Sequence, residues 1–276
     1  MRIGAMIGAD GTKESIDDVV RLGKEIEAAG LDHVWIANIF SYDAITTLAL
    51  MGRETSRVRL GTAVPPPYPR HPGALAQPAL PTAAARHTPF TLGIGLSHQV
   101  VIENMFGMSY DKPAKHMREY LNVLMPLLRG ETANYQGEQY HVQGLTLDVP
   151  GVTDLPVVVA ALGPAMIKLT AELADGTNTW MVGPKTMEEH IIPSFHAAGR
   201  QDPAIVAGMP IVLTTNVDQA KEKIAQDLTV YGQLPSYRAM LDREGAAGPA
   251  DIALSLIHIS EPTRPRLISY AVFCLK

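Results

Sequence analysis

Seven short apolar runs recur along the chain, roughly every 30 residues except for a longer interval between the fourth and fifth, each followed by a segment of helical periodicity. The runs are RIGAMIG (2–8), HVWIAN (33–38), VRLGTAV (58–64), FTLGIG (90–95), LPVVVAALG (155–163), TNTWMVG (177–183) and GMPIVLTTN (208–216). They are too short for helices, and their near-continuous apolar character suits strands covered on both faces. Between them, Ile16, Val19, Val20, Ile26 and Ala29 mark one helical stripe, with acids in its first turn and Gly30 as its stop. AITTLALMGRET marks a second, and a third opens near Pro72. Met117, Leu121, Leu124 and Leu128 mark a fourth, stopped at Gly130, and Met166, Leu169, Thr170 and Leu173 a fifth, stopped at Gly176; a last one spans about 218–231. ANYQGEQYHVQG (133–144) alternates around a Gly-containing turn and predicts a small hairpin inserted between units. Strand–helix alternation predicts a parallel sheet with helices outside it. A doubly wound sheet and a TIM-like (β/α)8 barrel both fit, and a spacing of roughly 30 residues over most of the chain favours the barrel. An eighth strand is due after ADIAL (250–254), and the pattern stops there.

Composition narrows the setting. With 23 Lys and Arg against 28 Asp and Glu, the net charge is −5, and no basic block calls for nucleic acid or an anionic membrane. No uncharged run is long enough to span a bilayer. The N-terminus reaches Gly and Asp too early for a secretory leader, and a single cysteine, Cys274, permits no internal disulfide. These features lead us to expect a cytoplasmic protein.

In a parallel barrel the functional groups sit at the C-terminal ends of the strands. Gly163 before PAMIK and Gly183 followed by Lys185 place glycine where a strand hands over to a helix. Free backbone N–H groups there could meet an anion, although such glycines also serve tight turns alone. His98 follows the fourth strand in GLSHQ, the placement expected of a catalytic residue. His71 precedes Pro72, while His116, His141, His190 and His196 fall on helices or in the hairpin, where a structural or solvated role is the better reading. Tyr42, Asp43 and Glu103 lie just past strand ends and suit helix caps as well as substrate contacts. GxGxxG, GxxxxGK[ST] and GxSxG are absent, and no His or carboxylate spacing suits a metal, so none is expected.

Taken in order, GLDHVWIAN, RLGTAVPPPYPRHP, LGIGLSHQ, YDKPAKHMREYLNVL, YQGEQYHV and VVVAALGPAMIKLTAELADGTNTWMVGP resemble the luciferase-like flavin and deazaflavin oxidoreductases. The resemblance covers about residues 2–253 and is nearest to the branch that uses coenzyme F420. It implies a TIM-like barrel with an insertion, a homodimer, and hydride transfer between the deazaflavin C5 and a small-molecule substrate. It places a cis peptide behind the ring at Ala63-Val64, and Asn38 against the ring edge. Gly95, Leu96, Ser97 and His98 flank ring and substrate, and the coenzyme phosphate falls to Leu162, Gly163, Pro164, Gly183 and Lys185. Relatives that oxidise a sugar phosphate have a histidine after the second-strand polar residue, where this chain has Ile39, which leaves His98 as the proton-handling candidate. An FMN-dependent monooxygenase and a flavin-type binding protein without turnover are the alternatives.

Two stretches depart from the family pattern. AQPALPTAAARHTPF puts Pro78, Pro81 and Pro89 in or beside a helix; an interior proline costs roughly 3 kcal/mol, which predicts a kink or an error in the reported sequence. The ending, LSLIHISEPTRPRLISYAVFCLK (254–276), contains two blocks, LSLIHISEPTR and ISYAVFCL, whose back-translation resembles a transposase-type sequencing adaptor. On that reading the native sequence breaks off near Ala253, strand eight is missing, and the edges of the first and seventh strands stay open.

Overall fold

The fold is that of a computed structural model, which describes residues 2–8, 14–85, 88–152, 154–211, 216–253 and 269–275. For 217, 218, 220, 221, 250, 253 and 269–275 the description is of the backbone alone. The strands are β1 (Arg2–Ile7), β2 (His33–Ile36), β3 (Arg59–Thr62), β4 (Phe90–Ile94), β5 (Ala133–Gln136), β6 (His141–Leu145), β7 (Val157–Ala160), β8 (Gly176–Trp180), β9 (Ala204–Ile211) and β10 (Ser269–Leu275). Seven of them, β1, β2, β3, β4, β7, β8 and β9, pair in parallel in that order. This is the TIM-like α/β barrel read from the sequence.

The eighth place is filled, contrary to the open edges expected. β10 lies between β1 and β9 and runs antiparallel to both, from Ser269 opposite Ile211 to Leu275 opposite Ile205, and the barrel closes. A backbone strand satisfies unpaired N–H and C=O groups in either direction, so an antiparallel segment can occupy a place that βαβ topology gives to a parallel one. The link between Ala253 and Ser269 lies outside the described residues, as do positions 212–215 of the expected seventh strand.

The seven parallel strands are buried along most of their length on both faces. Met6, Trp35, Val158 and Val206 meet inside the barrel. Val34, Ile36, Leu60, Leu92, Ile94, Val157 and Val159 belong to the larger core shared with the surrounding helices. Those helices are α1 (Ile16–Ala28), α2 (Ala44–Glu54), α3 (Pro72–Ala84), α4 (Pro113–Leu128) and α5 (Pro164–Leu173). Ser15 and Asp18 form a reciprocal capping box on α1, and Asp43 caps α2 by accepting from Thr46 N at 2.9 Å while pairing with Arg70. Gly23 lets α1 close on α2, because a Cβ there would lie 2.4 Å from Met51 Sδ.

Pro78 and Pro81 sit inside α3 without ending it, and Pro89 stands outside it, before β4. His71 Nδ1 accepts from Gly73 N at 3.1 Å to start the helix, and Thr82 Oγ1 donates to Pro78 O at 2.8 Å. Leu75, Ala76, Ala79 and Leu80 are buried on its packed face. That packing outweighs the two lost backbone bonds, as tertiary context commonly overrides propensity.

Side chains of α4 hold the β5–β6 hairpin: Lys115 pairs with Glu138, His116 bonds Gln139, and Glu119 takes the backbone. The Glu119 carboxylate, 3% exposed, accepts from the backbone N–H groups of Glu138, Gln139 and Tyr140 at 3.2, 2.8 and 3.2 Å. His116, on the same helix, is buried too, stacked on Tyr68 with ring centroids 4.1 Å apart, and its role is structural.

Candidate functional site

The C-terminal ends of the parallel strands open into a cavity of about 670 Å³ with a predominantly apolar lining. One wall is the step out of β3. The Ala63–Val64 peptide bond is cis, and both residues line the cavity. Thr62 clips this exit to β4, its Oγ1 donating to Gly93 O at 2.7 Å and accepting from Gly93 N at 2.9 Å. Gly95 permits the contact that follows, since a Cβ there would lie 2.5 Å from Val64 Cγ2 and 2.8 Å from Ala160 Cβ.

The second wall leaves β4 as Gly95, Leu96, Ser97 and His98. Ser97 adopts φ 63°, and its carbonyl accepts from the Tyr110 hydroxyl at 3.2 Å. His98 O accepts from Val101 N and Ile102 N, which starts the π-helical turn Val101–Met105 and fixes the histidine backbone. The imidazole lies edge-on to Tyr231 and Tyr237. Burial holds its pKa below the usual 6.5, so it is neutral at pH 7 and able to take up a proton. Burial also raises the Tyr237 and Tyr231 hydroxyls, the latter against a smaller opposing pull from a Trp180 hydrogen bond, which keeps both phenols protonated.

The third wall follows β7 through Leu162, Gly163 and Pro164. Gly163 is the N-cap of α5, has no side-chain cap, and would place a Cβ in open space. Ala165 and Met166 continue that first helical turn along the cavity, where backbone N–H groups lack intrahelical partners. The floor and far side are Met6, Asn178, Thr179, Trp180 and Gly208, with Asp227, Leu228, Tyr231, Ser236 and Tyr237 from the helical segments after β9.

The structure therefore brings together Ala63, Val64, Gly95, Leu96, Ser97, His98, Leu162, Gly163 and Pro164. Asn38, Gly183 and Lys185 are absent from that lining. Asn38 Oδ1 is engaged by Ala44 N at 3.0 Å, at the start of α2, which makes it a helix-capping group. Gly183 is buried under Glu244, whose carboxylate accepts from Thr186 N, so an acid occupies the turn where an anion was expected; Lys185 is exposed. Asp43 and Tyr42 serve structure, Tyr42 by donating to Glu14 O at 2.9 Å. Sequence reasoning missed Asn178, Trp180, Tyr231 and Tyr237. For the first two the signal was present in TNTWMVG, where a polar and an aromatic residue share the inward face of a strand. Among the described residues no group of three or more His, Cys, Asp or Glu could hold a metal ion, and no helix is long and apolar enough to cross a membrane.

Comparison with known proteins fits this geometry. A profile of the luciferase-like monooxygenases matches residues 1–264. A 5,10-methylenetetrahydromethanopterin reductase of Archaeoglobus fulgidus is 30% identical over 239 residues, which are 82% of this chain and 69% of that protein. A Mycobacterium tuberculosis protein provisionally named a coenzyme F420-dependent oxidoreductase is 30% identical over 254 residues, 84% of this chain and 72% of its own length. Among solved structures, the coenzyme F420 dependent tetrahydromethanopterin reductase of Methanopyrus kandleri superposes with a TM-score of 0.75 at 21% identity, covering 94% of this chain and 83% of that one. By fold, by the profile and by these relatives, the chain belongs to the luciferase-like monooxygenase family.

Proposed function

We propose that this protein is a coenzyme F420-dependent oxidoreductase that transfers a hydride between the deazaflavin C5 and a small organic substrate. The observation that carries the reading is convergence: nine residues from three separate strand ends, each assigned by the family resemblance, line one cavity. The Mycobacterium relative supports the choice of cofactor through its name.

The residues present fit such a group. The walls are apolar enough for a fused aromatic ring, and the floor holds a buried amide nitrogen, Asn178 Nδ2, without a partner. The open N-cap of α5 suits the cofactor's phosphate, because uncapped helix N-termini favour anions. Bound there, the deazaflavin would supply a two-electron hydride centre, and the protein orientation and electrostatics. Val64, Gly95 and Leu96 would back the ring, and Gly163 and Pro164 would hold its phosphate arm. Tyr231 and Tyr237 would keep water from the reacting face. A ring nitrogen of neutral His98 would take the proton released when a substrate hydroxyl is oxidised, and would return it in the reverse direction. The same reading carries a homodimer in a cytoplasmic setting, which sedimentation and cell fractionation would check.

Titration with F420 and with FMN, followed by fluorescence quenching, tests the cofactor. Tight F420 binding with weak FMN binding is expected; tight FMN binding without F420 binding overturns the choice in favour of the monooxygenase reading. Substrate-free binding with no turnover over a panel of secondary alcohols and cyclic imines would favour a carrier role.

A further inference from the structure

Asn178 lies on β8 directly opposite Ala160 of β7 and Val206 of β9. Side chains paired across strands share a face, so Asn178 points into the barrel with them, at the cavity floor. It is 8% exposed, and its Nδ2 has no hydrogen-bond partner. The side chains gathered inside the barrel, Met6, Trp35, Val158 and Val206, offer it no acceptor. A buried amide left unsatisfied is costly, and native interiors keep few of them. Beside these described apolar side chains, the unpartnered amide faces the cavity's occupant.

We infer that Asn178 is a ligand-reading residue, whose carboxamide pairs with the amide- or imide-type edge of the heteroaromatic ring bound in the cavity. A carboxamide presents one donor and one acceptor side by side, the complement of the N–H and C=O groups of a pyrimidinedione edge. An ionised side chain in the same place would bear a far larger desolvation cost, and an apolar one would not tell one ring edge from another. The inference rests on the cofactor reading above and adds to it the orientation of the ring, with its imide edge towards the floor.

The test uses the full chain. Dissociation constants for F420 are measured by fluorescence quenching on the wild type and on Asn178→Leu, together with the melting temperature of each protein without ligand. The expected result is a loss of affinity of about 10- to 100-fold in the variant, with a ligand-free melting temperature equal to or above that of the wild type. A ligand carrying a methyl group on the ring's imide nitrogen supplies the second readout. The wild type should bind it at least about tenfold more weakly than the parent ring, so this arm stands even where the variant fails to fold. Equal affinity of both proteins for F420, a wild type indifferent to the methyl group, or a folded variant with a lowered ligand-free melting temperature overturns the inference and leaves the cofactor reading standing. A wild type that binds neither F420 nor FMN removes the cofactor reading itself.

Discussion

The imidazole of His98 stands edge-on to the phenol ring of Tyr231, with centroids 6.0 Å apart and an interplanar angle of 80°, and Tyr237 flanks it at 6.5 Å. The two tyrosines remove water from the histidine without giving it a charge partner. Burial is the cause of its lowered pKa, and the neutral imidazole is the form that accepts a proton. Two outcomes follow for a protein acting as an F420-dependent alcohol-type oxidoreductase. His98→Gln should lower kcat by about 10²- to 10⁴-fold while cofactor affinity stays within a factor of two or so. In the oxidising direction kcat should fall as pH drops through a value below 6.5, because protonation removes the acceptor. An acid limb above 6.5, or undiminished turnover in His98→Gln, would take His98 out of the mechanism.

Gly95 makes a separate prediction about the opposite wall. A methyl group there would lie 2.5 Å from Val64 Cγ2 and 2.8 Å from Ala160 Cβ, so Gly95→Ala must push the β3 exit away from β4 and β7. Overpacking of this kind costs about 1–3 kcal/mol, and here the displaced atoms are cavity wall. We expect Gly95→Ala to melt lower and also to weaken cofactor binding at a temperature where the protein is fully folded. Gly176, where a Cβ would lie 1.8 Å from Ala204 O, is the control. It sits at the start of β8, away from the mouth, and Gly176→Ala should cost stability in every assay without selectively affecting the ligand.

Glu119 tests how the inserted hairpin is held. Its burial opposes ionisation, but the backbone N–H groups of Gln139, Glu138 and Tyr140, with a smaller contribution from Lys115, outweigh that and lower its pKa. The folded protein thus favours the carboxylate more than the unfolded chain does. The stabilisation is present above the unfolded value near 4.5 and is lost as pH falls through the lower folded value. Glu119→Ala should strip three acceptor contacts at once and cost about 1–3 kcal/mol, a drop of roughly 2–10 °C in melting temperature. Hydrogen exchange at the amides of 138–140 should accelerate in the variant and, in the wild type, below pH 4.5. Unchanged exchange in Glu119→Ala would show that the hairpin is held by its other contacts.

How much of this could be read in advance follows from what each residue depends on. Strand and helix positions depend on local periodicity, so β1 to β4, β7, β8 and the helices between them were legible from runs such as VVVA and stripes such as Met117, Leu121, Leu124 and Leu128. The capping role of Asp43 was legible as one of two options because a side chain of that length reaches its own helix start. The partner of Asn38 was not legible, because its position after a strand says nothing about which neighbour it meets; Ala44 N lies six residues on and captures its oxygen. The carboxylate beside Gly183 was hidden for the same reason, since Glu244 is far along the chain. The tyrosine wall from 231 and 237 could not be anticipated. Those helices are placed by packing against Ile205, Ala207 and Met209, a long-range relation that no local pattern encodes.

The direction of β10 makes the last prediction. Seven strands run parallel, and the eighth place is held by a segment that enters from the mouth, at Ser269 opposite Ile211, and runs the other way. A parallel eighth strand would bring a crossover helix to cover the neighbouring outer face, whereas the reversed strand is seen to pair its backbone with both edges. Three proteins separate these contributions: the chain as it stands, the chain ended at Ala253, and the chain in which residues 254–276 are replaced by a strand–helix unit of family type. We expect the second to aggregate through the exposed edges of β1 and β9. The third should melt higher than the first, because it restores apolar cover as well as edge pairing. A fresh reading of the gene beyond codon 253, taken from independent template, should encode such a strand–helix unit in place of LSLIHISEPTR. The same codons found again, together with a full chain that melts as cooperatively and as high as the replaced one, would establish the reversed strand as a native part of the barrel.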